Sequence, residues 1–208
     1  MDVGQVTDQF LARLSMPDRA PSTPFILGVI GNLGSGKSTV ARMLEQRLSG
    51  SVVVCANAAR YLLKKAGLKW GDNVRHIVRE VAHDLLFVGY AVILDGSNAE
   101  RDERKRTGML GELMGIPVRY VRLNTPFPLC HEREKTKYND ASWISSFEHF
   151  RVGPTDKMLA NLQGRRELHD SMDNREIRGL ITTLSNSGTL GDLQAEINDL
   201  APHILASL

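Results

Sequence analysis

The densest chemistry in this 208-residue chain lies between Gly31 and Thr39, in the run Gly-Asn-Leu-Gly-Ser-Gly-Lys-Ser-Thr. Gly31, four residues, then Gly36-Lys37-Ser38 is the spacing of a phosphate loop. The flanks agree with that reading. An apolar run, Phe25 to Ile30, precedes it, and a helix-forming run, Thr39 to Leu48, follows it. Glycines let the backbone turn tightly, so successive N–H groups point inward at phosphate oxygens. The helix opening near Lys37 adds the positive end of its dipole. Gly31, Asn32, Gly34, Ser35, Gly36, Lys37, Ser38 and Thr39 are therefore the candidate nucleotide-binding set. Lys37 is expected to reach the β- and γ-phosphates of a nucleoside triphosphate, and the Ser38 hydroxyl to sit on Mg²⁺.

A second candidate lies downstream. Tyr90-Ala-Val-Ile-Leu-Asp95 is an apolar strand ending in a carboxylate. After a phosphate loop, such a strand suggests a metal-linked aspartate, with Gly96-Ser97-Asn98 as the turn that follows. In open α/β sheets, ligands gather at this carboxyl end.

These groups need a scaffold, and the remaining pattern supplies one. Strands are expected at 25–30, Ser51–Cys55, Tyr90–Asp95, Val118–Leu123 and Ile177–Leu184. Helices are expected at 5–15, from the phosphate loop to about 48, at Ala58–Lys65, 72–88, 99–114, Leu129–Tyr138 and 189–200. Val74, Ile77, Val78, Val81, Ala82, Leu85 and Leu86 make an apolar stripe on the fourth of these helices. Strands alternating with helices give a doubly wound parallel α/β architecture. Residues 1–208 read as one domain. Residues 1–24 form an N-terminal helix and loop, and about 125–175 a lid and substrate-side region that includes Trp143, Phe147 and Phe150.

Composition narrows the setting. The chain has 26 Lys and Arg against 24 Asp and Glu, a net charge of +2, which neither demands nor excludes nucleic acid. The two cysteines, Cys55 and Cys130, lack the spacing of a zinc or redox pair, and a reduced cytoplasmic setting is the simpler expectation. No run of 18 apolar residues appears and no signal-peptide pattern opens the chain, so no membrane span is expected.

With these residues in view, the chain resembles the P-loop kinases of the polynucleotide-kinase and zeta-toxin type, small AAA-type ATP-binding kinases that include many acting on small molecules. The likeness runs from about residue 25 to 150. It rests on GNLGSGKST, on Cys55-Ala-Asn-Ala-Ala-Arg60, on LDGSNAERDERKR from Leu94, and on LCHEREKTK from Leu129. It implies a P-loop NTPase three-layer sandwich with five parallel strands in the order 2-3-1-4-5 and a helical lid. It implies ATP, with GTP as the alternative, and Mg²⁺ as cofactors. The partners are then a nucleoside triphosphate and a phosphoryl acceptor, which could be a nucleic-acid end, a nucleotide or a small metabolite.

By that resemblance, Arg60 contacts the acceptor or the transferring phosphoryl group. Asp95 supports the metal or its water shell, and Arg133 closes over the phosphates. The tail LSNSGTLGDL also looks like the loop before the last helix of dephospho-coenzyme A kinase and nucleoside monophosphate kinases, which makes Asn186 and Gly188 candidate base contacts.

Two positions depart from the pattern. Asn57 stands where the family carries a general-base aspartate, and an amide cannot take a proton from a hydroxyl at neutral pH. Lys137 stands where a second lid arginine is usual; it keeps the charge without the planar fork. Three accounts of Asn57 stay open. Transfer proceeds without that base or with Asp95 in its place; the acceptor is a phosphate, as in nucleotide kinases; or the protein is a catalytically weak ATP-binding module. Arg101, Arg104, Lys105 and Arg106 read as a solvated face or as a basic edge for a phosphate backbone.

Overall fold

The computed structural model describes residues 1–21, 23–96, 98, 100–139, 163–164, 166–167, 170–172 and 174–208. Five strands form one parallel sheet: β1 (Ile26–Ile30), β2 (Ser51–Cys55), β3 (Ala91–Asp95), β4 (Val118–Leu123) and β5 (Leu180–Leu184). Their order across the sheet is β2-β3-β1-β4-β5, every neighbouring pair parallel, as the resemblance implies.

Seven α-helices are described: α1 (Val3–Leu11), α2 (Lys37–Arg47), α3 (Ala56–Lys65), α4 (Asp72–Phe87), α5 (Arg101–Met114), α6 (Phe127–Asn139) and α7 (Leu190–Ala206). The strands are apolar on both faces because both faces are covered. On one side Ile26, Val52, Val54, Val92 and Leu94 pack against α1, α3, α4 and α5. On the other Leu27, Val29, Ile93, Val121 and Leu123 pack against α2 and α7. The alternation of β1 side chains between these two cores fixes its register, since a slip of one residue would exchange them.

Several boundaries shift for local reasons. Helix α1 starts earlier than the periodicity predicts, because Asp2 and Gln5 form a reciprocal capping box. Helix α3 begins at Ala56, capped by Cys55, so Asn57 lies inside the first turn rather than before it. Strand β5 starts only at Leu180: residues 174–176 form a 3₁₀ turn, and Gly179, with φ +82°, brings the chain against the Val118 carbonyl. Helix α7 runs through Pro202 to Ala206, held by the buried Ala201 and Ile204. Among the described residues, no helix is long and apolar enough to cross a membrane. Trp143, Phe147 and Phe150 lie outside the described residues.

Gly28 shows how tightly the sheet centre is filled. A β-carbon there would stand 2.5 Å from the Tyr120 ring and 3.3 Å from Nδ2 of Asn98. Both neighbours are buried and hydrogen-bonded, Tyr120 through its hydroxyl to the Arg104 carbonyl at 3.3 Å. Gly28→Ala is therefore expected to destabilise the protein by ~1–3 kcal/mol, the usual range for overpacking a filled core. Urea unfolding of the two proteins measures it. Equal midpoints would show that the ring moves aside without cost.

Candidate active site

The strand–loop–helix unit is built as its sequence requires. β1 ends at Ile30, and α2 begins at Lys37 behind Gly36, whose φ is +94°. Gly36 caps the helix and has no side chain to occupy the first-turn N–H groups, which leaves the amides of Lys37, Ser38 and Thr39 for an outside acceptor. Gly34, with φ +73°, lies so close to α6 that a β-carbon would overlap the Cys130 carbonyl. At Gly36 a β-carbon would overlap Nδ2 of Asn186, and at Gly31 it would stand 2.5 Å from Oγ of Ser35. The glycines thus serve the packing of the loop as well as its curvature.

Distant parts of the chain hold this loop in place. The Ser35 carbonyl accepts from Oγ1 of Thr125 at 3.0 Å and from Nδ2 of Asn186 at 2.8 Å. Lys37 donates through Nζ to the Asn32 carbonyl at 2.7 Å, and Oδ1 of Asn32 accepts from the Leu33 N–H at 2.8 Å. The Asn186 oxygen in turn accepts from Nη2 of Arg133 at 3.5 Å. Arg133, on α6, is thereby linked to the phosphate loop through Asn186.

Asn186 spends its amide on the loop backbone and on Arg133. Gly188 lies just ahead of α7, where a β-carbon would meet the Asp192 side chain at 2.7 Å. Two buried polar atoms here have no hydrogen-bond partner, Oγ of Ser35 and Nη1 of Arg133. An unmatched buried hydroxyl and guanidinium nitrogen, beside a glycine cradle and a helix N-terminus, fit a polyphosphate. The side chain of Lys137 lies outside the described residues.

Asp95 ends β3 beside Val29 of β1 and Cys55 of β2. It is 6% exposed and makes no ion pair among the described residues. A buried carboxylate that ends a strand suits a hard cation that keeps waters and substrate oxygens for its other ligands. No cluster of three or more His, Cys, Asp or Glu exists among the described residues.

The Asp95 charge has a visible effect. Burial first, and then the neighbouring carboxylate, push the Cys55 thiol up from 9.0 to about 12. The thiolate fraction at neutral pH is correspondingly small and climbs as pH approaches that value.

The Asn57 and Arg60 pair takes an unexpected form. Arg60 donates through Nη1 to Oδ1 of Asn57, one turn apart on α3. Asn57 is exposed, whereas Arg60 is half-buried.

Beside Arg60 and Asp95 opens a cavity of about 460 Å³. Its walls come from the ends of β2 and β3, from α3, α4 and α5, and from Trp70 and Gly71 before α4. Asn57 is not among the lining residues; Asp95 is. Across the cavity mouth, Glu103 accepts from Arg75 at 2.8 Å and from Arg106 at 2.8 Å, and Arg75 also reaches Asp72 at 2.7 Å.

The arginines of α5 consequently do not form one basic edge. Arg106 is paired, and Arg104 turns inward to the Asn98 carbonyl at 3.2 Å, while Arg101 and Lys105 remain exposed. Sequence reasoning missed Thr125 and the α5 wall altogether. Thr125 acts on a residue 90 positions away, a pairing no local pattern announces.

Three comparisons bear on this geometry. The family model described as "AAA domain" matches residues 26–172. A pantothenate kinase of Leifsonia xyli subsp. xyli is 47% identical over 45 residues, which cover 22% of this chain and 12% of that protein. The match therefore spans about a tenth of the relative's length. Among solved structures, a gluconokinase from Sinorhizobium meliloti superposes with TM-score 0.56 at 19% identity, covering 88% of this chain and 95% of that one. The Mycobacterium tuberculosis APS kinase in complex with AMPPNP and APS gives TM-score 0.54 at 19% identity, covering 90% and 98%. At this identity the structures speak to the fold.

The Cys55 shift gives a direct check on the Asp95 charge. Iodoacetamide labelling of Cys55, followed by peptide mass mapping, is expected to be slow at neutral pH and to rise steadily as pH is raised. Asp95→Asn removes the second cause and should speed labelling at any fixed pH. Rapid labelling at neutral pH that ignores the substitution would place the thiol away from the carboxylate.

Proposed function

We propose that this chain, which belongs to the AAA-domain family, is a P-loop kinase that uses ATP and Mg²⁺ to move a γ-phosphoryl group onto a hydroxyl acceptor bound in the cavity beside Asp95. The observation that carries the reading is the position of that carboxylate. It lines the cavity and ends the strand next to β1, which leads into the phosphate loop.

The geometry supports the following roles. The loop amides and Lys37 hold the triphosphate tail. Arg133, fixed by Asn186, offers charge to the phosphoryl group in flight. Mg²⁺, when bound, neutralises phosphate charge, and Ser38 and Asp95 are the residues that would hold it or its water shell. Asp95 also faces the acceptor and takes the hydroxyl proton. Asn57, held by Arg60 and absent from the cavity wall, is then no longer the place where a base is needed. A phosphate acceptor, the second reading, draws support from Asn57 and from the Asn-Ser-Gly-Thr loop at 186–189. The cavity gives it less, because two of its arginines are already engaged by Glu103 and Asp72.

Two measurements separate these readings. Asp95→Asn should cut phosphoryl transfer by roughly 10²–10⁴-fold, the usual size of a general-base contribution, with binding of ATP without Mg²⁺ retained within a few-fold. Asn57→Asp should change the rate only a few-fold. ADP release in a coupled assay over hydroxyl and monophosphate acceptors reads both. A large gain from Asn57→Asp would return the base to α3, and turnover confined to monophosphates would favour the second reading.

Lys37→Ala tests the nucleotide side. Calorimetry is expected to show at least a tenfold loss of MgATP affinity. No ATP or GTP affinity in the parent protein would remove the basis of the proposal.

A further inference from the structure

The chemistry of the cavity wall goes further than its position, and it rests on the reading of that cavity as the acceptor site. Its floor is aliphatic: Val54, Val74, Val78, Ala82, Leu94 and Leu110 supply it, from both strand ends and the inner faces of α4 and α5. All but Val78 are buried. Trp70, 39% exposed, adds an indole face at the mouth.

Most polar side chains deep in the same wall are spent within the protein, whereas Arg79 and Glu100, toward the outside, line it with no ion pair among the described residues. Thr107 donates its hydroxyl to the Glu103 carbonyl at 3.0 Å. Asn98 donates to the Leu94 carbonyl at 3.1 Å and the Val29 carbonyl at 3.4 Å. The Glu103 carboxylate holds Arg75 and Arg106. Asp95 is the buried charged group that keeps no ion pair among the described residues.

We propose that the acceptor is a compact molecule with an apolar, ring-like or branched body and one hydroxyl directed at Asp95, and not a sugar, a sugar acid or a nucleic-acid strand. A volume of about 460 Å³ is ample for such a molecule and falls in the usual range of small-ligand pockets. A polyhydroxylated acceptor would turn several hydroxyls toward aliphatic carbon or toward partners already hydrogen-bonded. Each such unmatched group costs roughly tenfold or more in affinity. A nucleic-acid strand needs an open basic track; of the four arginines lining the cavity, Arg75 and Arg106 are tied to Glu103 and Asp72 and Arg60 to Asn57, which leaves Arg79 as a single exposed guanidinium rather than a track.

The reaction balances simply. The acceptor oxygen attacks the γ-phosphorus, and the bond from that phosphorus to the β–γ bridging oxygen breaks. ADP leaves with the electron pair, and the hydroxyl proton passes to Asp95 and then to water. The products are a phosphomonoester and ADP.

Two probes isolate the claim. Para-hydroxymethylbenzoate and D-gluconate share a carboxylate and a primary hydroxyl and differ in the body between them, one aromatic and one polyol. The sequence has two tryptophans, Trp70 and Trp143, so Trp143→Phe leaves Trp70 as the single reporter at the cavity. In that background, with a non-hydrolysable ATP analogue and Mg²⁺ present, the benzoate should shift Trp70 emission saturably and bind at least tenfold tighter than gluconate. With ATP it should release ADP faster.

Val78→Asp, which sets a charge in the floor, should weaken the benzoate at least tenfold and leave MgATP affinity unchanged. Ala82→Leu, which fills the floor without a charge, should do the same if the first variant fails to fold. Gluconate binding as well as the benzoate, no response to either compound, or indifference to both floor substitutions would overturn the proposal. Loss of the nucleotide reading is seen separately: MgATP would fail to bind while Trp70 still ranked the two probes.

Discussion

The carbonyl oxygen of Ser35 is the point at which this structure is tied together. Thr125, after β4, and Asn186, after β5, both donate to it. A phosphate loop binds anions only while its amides converge, and a free glycine-rich segment would pay a large entropy cost to converge at each binding event. Two side-chain hydrogen bonds to one backbone atom reduce that cost in advance. The same Asn186 amide reaches Arg133, so the guanidinium proposed to meet the phosphoryl group is positioned by the group that positions the loop. Gly36 and Gly34 are glycines partly for this reason, since side chains there would displace Asn186 and the Cys130 carbonyl.

The other half of the site is assembled differently. The phosphate side is a short contiguous segment braced from β4 and β5. The cavity side is a wall drawn from β2, β3, α3, α4 and α5, with no single segment in control. Asp95 stands where the halves meet, because β3 lies between β2 and β1 in the sheet. This division suits a fold that keeps one donor chemistry while accommodating many acceptors. On the proposed function, the donor half depends on backbone geometry, which tolerates little change, and the acceptor half on side chains of helices that can be exchanged.

The same division decided what the sequence disclosed. The phosphate-loop motif, the strand order and the position of Asp95 at a strand end were readable because each rests on a local pattern or on a family resemblance carried by contiguous residues. Asn57 was readable as a departure, but its pairing with Arg60 and its position off the cavity wall follow from α3 starting two residues earlier than expected. Val74, Val78 and Ala82 were legible as an apolar stripe, and nothing in their spacing says that part of the stripe faces a cavity rather than a neighbour. Thr125 gave no signal, since its partner is far away in the chain and the contact is to a backbone atom that any residue carries. Asn186 was visible as a residue of interest, although its hydrogen bonds are to the loop and to Arg133.

Nitrogen-labelled protein titrated with a non-hydrolysable ATP analogue and Mg²⁺, followed amide by amide, tests the central claim most directly. A braced phosphate loop predicts saturable shifts concentrated at the amides from Gly34 to Thr39. Asn186→Ala should broaden those resonances before ligand is added. Shifts confined to other parts of the chain, or a loop equally sharp without the Asn186 side chain, would contradict the account.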